Sequence, residues 1–197
     1  MEEQLFLFNL PEYEIICGTD EAGRGPLAGP VVAAAVVLNK GFPIALLNDS
    51  KKMSEKARLK AEKIIKENSI YSIIFIDHEE IDKINILNAS LKAMKLAYEE
   101  VLLKTKCDIL LVDGNKVPQV EGNVSAIVKG DSKIPEIMAA SILAKTARDR
   151  YMEEMDLIYP EYGFKINKGY PTLSHRQAIK QYGISPIHRK TFRVKFD

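Results

Sequence analysis

The chain is poor in the residues that anchor several common functions. Its 197 residues include two cysteines, Cys17 and Cys107, and three histidines, His78, His175 and His188. There is no Cys-x-x-Cys pair and no Cys/His cluster, which excludes a structural zinc site of the usual spacing. Each cysteine sits in or beside an apolar run, so both read as buried thiols. The histidines lack metal-ligand spacing among themselves and read as surface or phosphate-contacting side chains. No apolar run is long enough to span a bilayer, and residues 31–38 fall well short, so no membrane association is expected. The acidic start, Met1-Glu2-Glu3-Gln4, lacks the basic region of a secretory signal, and a cytoplasmic location is the default. A P-loop is excluded because G-x-x-x-x-G-K-[ST] is missing, and a nucleophile elbow because G-x-S-x-G is missing. Linkers, low-complexity tracts and internal repeats are absent.

What remains is a composition ordinary for a soluble globular protein, 46% hydrophobic and 28% charged. The length suits one large domain, or one domain with an appendage, with a real core. The net charge of +1 hides an asymmetry. Residues 165–197 carry Lys165, Lys168, Arg176, Lys180, Arg189, Lys190, Arg193 and Lys195 against a single acid, Asp197. A slightly acidic body with a basic tail fits a polyanion-binding arm, and fits equally a solvated charged surface.

Periodicity orders the elements. Residues 15–19 and 30–38 read as strands joined by a Gly- and Pro-rich turn. Ser54 is a good N-cap for a helix running to about Asn68. Residues 71–76 form a third strand and 88–104 a helix with apolar residues at helical spacing. The uniformly apolar run 108–112 fits a buried parallel strand, and 124–128 is a fifth. Pro135 marks the start of a helix that continues over 137–152 with a face of small residues. Residues 160–171 read as loop, followed by a short helix over 174–182 and a helix or turn at 185–189. This order predicts an α/β fold: a mixed sheet with helices on both faces, then a small helical tail.

The chemistry concentrates at strand ends. Asp20 and Glu21 follow the first strand and lead into the turn Gly23-Arg24-Gly25-Pro26, while Asp113 and Asp131 each close a short aliphatic run beside a glycine. Singly, each is most often a solvated turn. Together, three strand ends bearing acids converge at one sheet edge, where ligands bind in open α/β folds. Clustered carboxylates repel, and the fitting occupant is Mg²⁺ or Mn²⁺. Two ions about 4 Å apart suit phosphodiester hydrolysis, one activating water and one stabilising the leaving oxygen. The spacing alone leaves one ion or two open. The run Gly23-Arg24-Gly25-Pro26-Leu27-Ala28 matches the dinucleotide fingerprint formally, but Gly29-Pro30 and a strand follow where that site needs a helix.

These motifs resemble ribonuclease HII. The matching residues are 18–31 around Asp20-Glu21-Ala22-Gly23-Arg24-Gly25, Asn48-Asp49-Ser50-Lys51-Lys52-Met53-Ser54, Val112-Asp113-Gly114 and Lys129-Gly130-Asp131-Ser132-Lys133. They continue through 139–145, Arg148-Asp149-Arg150, Lys168-Gly169-Tyr170 and Ser185-Pro186-Ile187-His188-Arg189. Arg24, and the short stretch before the first strand, favour ribonuclease HII over its sister HIII, which has Gly-Lys-Gly there and an N-terminal substrate domain.

The resemblance implies a ribonuclease H-like catalytic domain over residues 1–159 and a helical C-terminal extension over 160–197 packed on it. It implies a metal-dependent endonuclease whose partners are RNA–DNA hybrids and duplex DNA containing ribonucleotides. Asp20, Glu21, Asp113 and Asp131 would hold the metals, with two Mg²⁺ or Mn²⁺ ions expected in the active complex. Gly23, Arg24 and Gly25 would meet the ribose 2′-OH, largely through backbone groups, and Tyr170 would pack on the sugar at the RNA–DNA junction. Ser50, Lys51, Ser132 and Lys145 complete the implied substrate contacts. A monomer is the default. Two rivals stand beside this reading: a junction resolvase of the same fold, which needs no 2′-OH reader, and a hybrid-binding protein with vestigial acids.

Overall fold

The computed structural model describes residues 13–50 and 52–196. Five strands form one sheet: β1 (Ile16–Ala22), β2 (Val31–Leu38), β3 (Ser69–Ile76), β4 (Ile109–Asp113) and β5 (Val124–Ile127). Their order is β3-β2-β1-β4-β5. The first three strands pair antiparallel, with Gly18 opposite Val36 and Val36 opposite Tyr71. β1 then pairs parallel with β4, and β4 with β5, giving the mixed sheet expected.

β2 shows why both faces are covered. Its run Val-Val-Ala-Ala-Ala-Val-Val-Leu is buried almost throughout, as a strand sandwiched between helices must be. Successive side chains alternate between faces. Ala33, Ala35 and Val37 meet helix α3 (Ile86–Leu102) through Ala93, Ala97 and Val101. Ala34 and Val36 meet helices α1 (Glu55–Glu67) and α4 (Pro135–Ile158) through Ile65, Ala140 and Leu143. Small side chains on both partners bring the helix axes close to the sheet.

Local signals account for most boundaries. Ser54 accepts the Ala57 amide at 3.2 Å and caps α1. Pro135 opens α4, where its missing N–H costs nothing. Between β3 and α3 lies a helix absent from the sequence reading, α2 (His78–Ile84), capped by Asp77. Asn85, at φ +64°, ends it and immediately caps α3 by accepting the Leu87 and Asn88 amides. A left-handed residue that serves as the next helix's cap leaves little sequence trace of the break. The first strand also runs further than expected, so Asp20 and Glu21 lie inside β1, opposite Ala34 and Ala33.

Beyond α4 the segment read as loop is instead a 3₁₀ turn, Pro160–Tyr162, and a short helix α5 (Phe164–Asn167), before α6 (Leu173–Tyr182). Tyr162, Phe164, Ile179 and Ile187 pack on Leu27, Ala28 and Met152. The Leu27 amide donates to the Gly169 carbonyl at 2.8 Å, and Ala28 bridges His188. This extension is thus tied to the turn that follows β1. Cys17 is buried and Cys107 half-buried. Among the described residues, no helix is long and apolar enough to cross a membrane.

Gly18 marks the closest approach of β1 to α4. A Cβ there would lie 2.3 Å from the Glu136 carbonyl carbon and 2.4 Å from the Ile137 nitrogen. Gly18→Val is expected to cost about 3 kcal/mol and to lower the melting midpoint by roughly 6–12 °C. Thermal melting followed by circular dichroism checks this, and an unchanged midpoint would contradict the packing.

Candidate active site

Strand register brings the acids together. Thr19 of β1 is level with Val112 of β4, so the next residues, Asp20 and Asp113, lie side by side at the same sheet edge. β5 ends beside Asp113, with Ile127 as its partner. The chain then turns through Lys129, at φ +57°, into a 3₁₀ turn, Gly130–Ser132, that carries Asp131 back to the same place. There the Asp131 amide donates to Asp113 Oδ1 at 3.2 Å. One carboxylate oxygen from each of Asp20, Asp113 and Asp131 falls within 4.8 Å of the others.

Glu21 is not a member of that group. Alternation along β1 turns Asp20 toward Ser141 of α4 and sends Glu21 the other way. Glu21 Oε1 pairs with Arg24 at 3.4 Å, while its carboxylate stays near enough to Asp113 to feel that charge.

The electrostatics are those of carboxylates crowded together. Asp20 is only 5% exposed. Burial pushes its carboxyl well above the usual range, and the charges of Glu21 and Asp113 push it further. Hydrogen bonds from Ser141 and the Glu21 amide, the latter at 2.7 Å, oppose the rise. Glu21 is also raised, chiefly by burial, with Arg24 opposing. A buried, all-oxygen donor set carrying this much negative charge fits Mg²⁺ or Mn²⁺.

A cleft of about 270 Å³ opens beside the acids. Gly23, Arg24, Gly25, Ser50, Lys145 and Tyr170, all among the implied substrate contacts, line it together with Glu21, Ser141 and Arg148. The turn lies against the tyrosine: a Cβ on Gly25 would meet the Tyr170 ring at 3.4 Å. Ser50 and Ser141 share a hydrogen bond of 3.0 Å across the floor. Lys145 pairs with Asp149 at 2.5 Å, and burial lowers its ammonium from the usual value.

Other expectations fall elsewhere. Ser132 is exposed, its hydroxyl donating to the Lys129 carbonyl, and it does not line the cleft. Lys51 lies outside the described residues. Two histidines read as surface groups are buried: His175 Nε2 and His188 Nε2 are 3.1 Å apart between Tyr162 and Phe164. Burial pushes His188 down to about 4, and the neighbouring His175 adds to the shift. Arg189, counted with the basic tail, is 2% exposed and makes no surface arm. Lys168 pairs with Glu153 at 2.6 Å. Ser141 and Arg148 were not singled out as site residues because a helix face of small residues reads as packing.

The model of the ribonuclease HII family matches residues 17–197. The chain belongs to that family. Ribonuclease HII of Clostridioides difficile (strain 630) is 51% identical over 199 residues, covering 97% of this chain and 77% of that protein. Ribonuclease HII of Borrelia recurrentis (strain A1) is 51% identical over 183 residues, covering 91% of this chain and 99% of its own length. Among solved structures, the RNase HII of a PCNA:RNase HII complex from Archaeoglobus fulgidus superposes with a TM-score of 0.76 at 26% identity, covering 93% of this chain and 97% of that one. The protein is a ribonuclease H hydrolase with a ribonuclease H-like α/β fold.

The acid cluster sets a pH dependence. Asp20 keeps its proton to higher pH in the folded chain than in the unfolded one. Its ionisation therefore removes stability as pH rises through and above the ordinary carboxylate range, and no loss occurs in acid. Asp113→Asn keeps an acceptor for the Asp131 amide and deletes one charge. In chelator at pH 7.5 the variant is expected to melt higher than wild type, by about 2–4 °C for each kcal/mol relieved, with the gain shrinking toward pH 4. Added Mn²⁺ should raise the wild type and spare the variant. Calorimetry in both conditions checks this, and a variant less stable than wild type in chelator would contradict it.

Proposed function

We propose that this enzyme cuts the RNA strand of RNA–DNA hybrids and incises duplex DNA on the 5′ side of an embedded ribonucleotide, leaving 5′-phosphate and 3′-hydroxyl ends. The observation that carries the reading is the junction of two features: the carboxylate cluster, and a cleft walled by the Gly23-Arg24-Gly25 turn and the Tyr170 ring.

Asp20, Asp113 and Asp131, with Glu21 beside them, would hold Mg²⁺ or Mn²⁺, two ions in the active complex. Bound divalent ions would supply water activation and charge stabilisation at the leaving oxygen. The protein's own groups do the rest. Gly23, at φ +98°, turns the backbone so that polar groups of residues 23–25 border the cleft. Those groups face the 2′-OH, which is what separates RNA from DNA at a given site. Tyr170, 45% exposed, offers its ring to the adjoining sugar. Lys145, with Ser50 and the neighbouring Lys51, grips phosphate and positions the duplex without reading sequence. Ser132 sits one residue from Asp131 on the same turn and would contact the backbone there. In this reading residues 1–159 carry the chemistry, and the extension over 160–197 supplies Tyr170. The protein acts as a monomer.

The test is incision of a labelled DNA duplex carrying one ribonucleotide, with Mg²⁺ or Mn²⁺, beside a long hybrid and an all-DNA duplex. Wild type is expected to cut 5′ to the ribonucleotide and to leave all-DNA intact, and Asp113→Asn to fall to background while still binding, since phosphate contacts supply most affinity. Tyr170→Ala is expected to lose roughly tenfold on the single-ribonucleotide duplex and less on the long hybrid. Equal losses would remove the junction-reading role, and cutting of all-DNA junctions would favour a resolvase.

A further inference from the structure

Arg189 and Arg148 are the charges that the site chemistry leaves unexplained. They are 2% and 1% exposed. Neither makes an ion pair among the described residues, and both point into backbone. A guanidinium has five N–H donors. Arg189 uses all five on carbonyls of one short segment: Nε to Gly29 at 2.9 Å, Nη1 to Arg24 at 3.0 Å and Pro26 at 2.8 Å, Nη2 to Gly23 at 2.6 Å and Pro30 at 3.1 Å. Arg148 reaches the same segment from α4, donating to Pro30 at 3.0 Å and Ala28 at 3.1 Å, and its Nη1 spans to the Lys168 carbonyl at 3.0 Å. The two cations share the Pro30 oxygen.

Two like charges buried together without a carboxylate are an expensive way to hold a fold, since well-packed apolar residues usually do as well or better. Burial lowers the guanidinium of Arg189 to about 9 and that of Arg148 to about 10, and Arg148 adds to the strain on Arg189. What the pair achieves is geometric. It fixes the carbonyls of Gly23 and Arg24 from behind and ties that turn to the residues just before Tyr170. The fit is tight, because a Cβ on Gly23 would stand 2.1 Å from Arg148 Nε, and one on Gly169 would stand 2.7 Å from the Ala28 oxygen.

We propose that Arg148 and Arg189 are positioning residues for ribose recognition: a paired clasp on carbonyls that sets the Gly23-Arg24-Gly25 turn against Tyr170. Both would act through the turn: Arg148 borders the cleft but is 1% exposed, and the hydrogen bonds of both arginines go to backbone carbonyls. The proposal rests on the reading above that this turn meets the 2′-OH. A rigid turn reads the hydroxyl without first being ordered by it, so loosening the clasp removes the preference for ribose while phosphate-based affinity stays.

The experiment measures that preference directly. In the non-cutting Asp113→Asn protein, fluorescence anisotropy gives the affinity for a duplex with one ribonucleotide and for the same duplex in all-DNA. The parent is expected to favour the ribonucleotide about tenfold, the worth of one to two good hydrogen bonds. Adding Arg189→Lys keeps the charge but leaves three donors, and adding Arg148→Lys removes the span to Lys168. Either is expected to bring the ratio below about threefold with all-DNA affinity unchanged. Circular dichroism confirms that each variant is folded at the working temperature. A purely structural role would weaken both affinities together and hold the ratio, which overturns the proposal. So does a failure of both lysine variants to fold, since the arginines would then be structural. A parent with no ribose preference overturns the ribose reading itself, a result distinct from a parent that prefers ribose and variants that still do.

Discussion

The parallel pairing of β1 with β4 is the constraint on which the site depends. An antiparallel partner would place Asp113 at the opposite edge of the sheet from Asp20. The parallel register instead sets Thr19 level with Val112, so both acids leave their strands together. β5, parallel again, delivers Asp131 by a single turn. Bringing the carboxylates together, with Asp20 buried, is costly, and a bound cation would offset that cost. Burial and the charges of Glu21 and Asp113 hold Asp20 toward its protonated form, and a divalent cation would relieve the repulsive part of that shift.

A second constraint is steric. β1 must lie close beneath α4 for Ser141 to reach Asp20, and Gly18 permits it. On the far side of the site, Gly23, Gly29 and Gly169 leave room for Arg148, Met152 and the Ala28 carbonyl. The turn after β1 is therefore held from three directions: by α4, by the Lys168-Gly169 segment and by the C-terminal Arg189. The extension is part of the cleft wall, because the backbone bond from Leu27 to Gly169 and the bridge from Ala28 to His188 fasten it there.

Much of this was legible in the sequence. Aliphatic runs ending in Asp marked the strands whose ends meet, and the order of strands and helices foretold a mixed sheet covered on both faces. Ser54 and Pro135 marked their helices because caps act locally. What was hidden depends on contacts far apart in the chain. A histidine's burial is decided by the partner it meets, and His175 meets His188 only after α6 folds back. Arg189 counted as a tail charge because charge alone says nothing of five carbonyls waiting 159 to 166 residues away. Adjacent Asp20 and Glu21 read as one motif, and only the position of both inside β1 shows that they leave the strand on opposite faces while both stay near Asp113. The convergence of Asp20, Asp113 and Asp131 was legible, and the exclusion of Glu21 from that trio needed coordinates.

The central claim is that the three converging carboxylates form a divalent-cation site at the sheet edge. Anomalous diffraction from crystals grown with Mn²⁺ measures this most directly, because it locates the ion without reference to activity. The account predicts an anomalous peak bounded by oxygens of Asp20, Asp113 and Asp131, at about 2.0–2.3 Å from each ligand. A fully occupied Mn²⁺ elsewhere with this position empty, or no bound Mn²⁺ at saturating concentration, would contradict it.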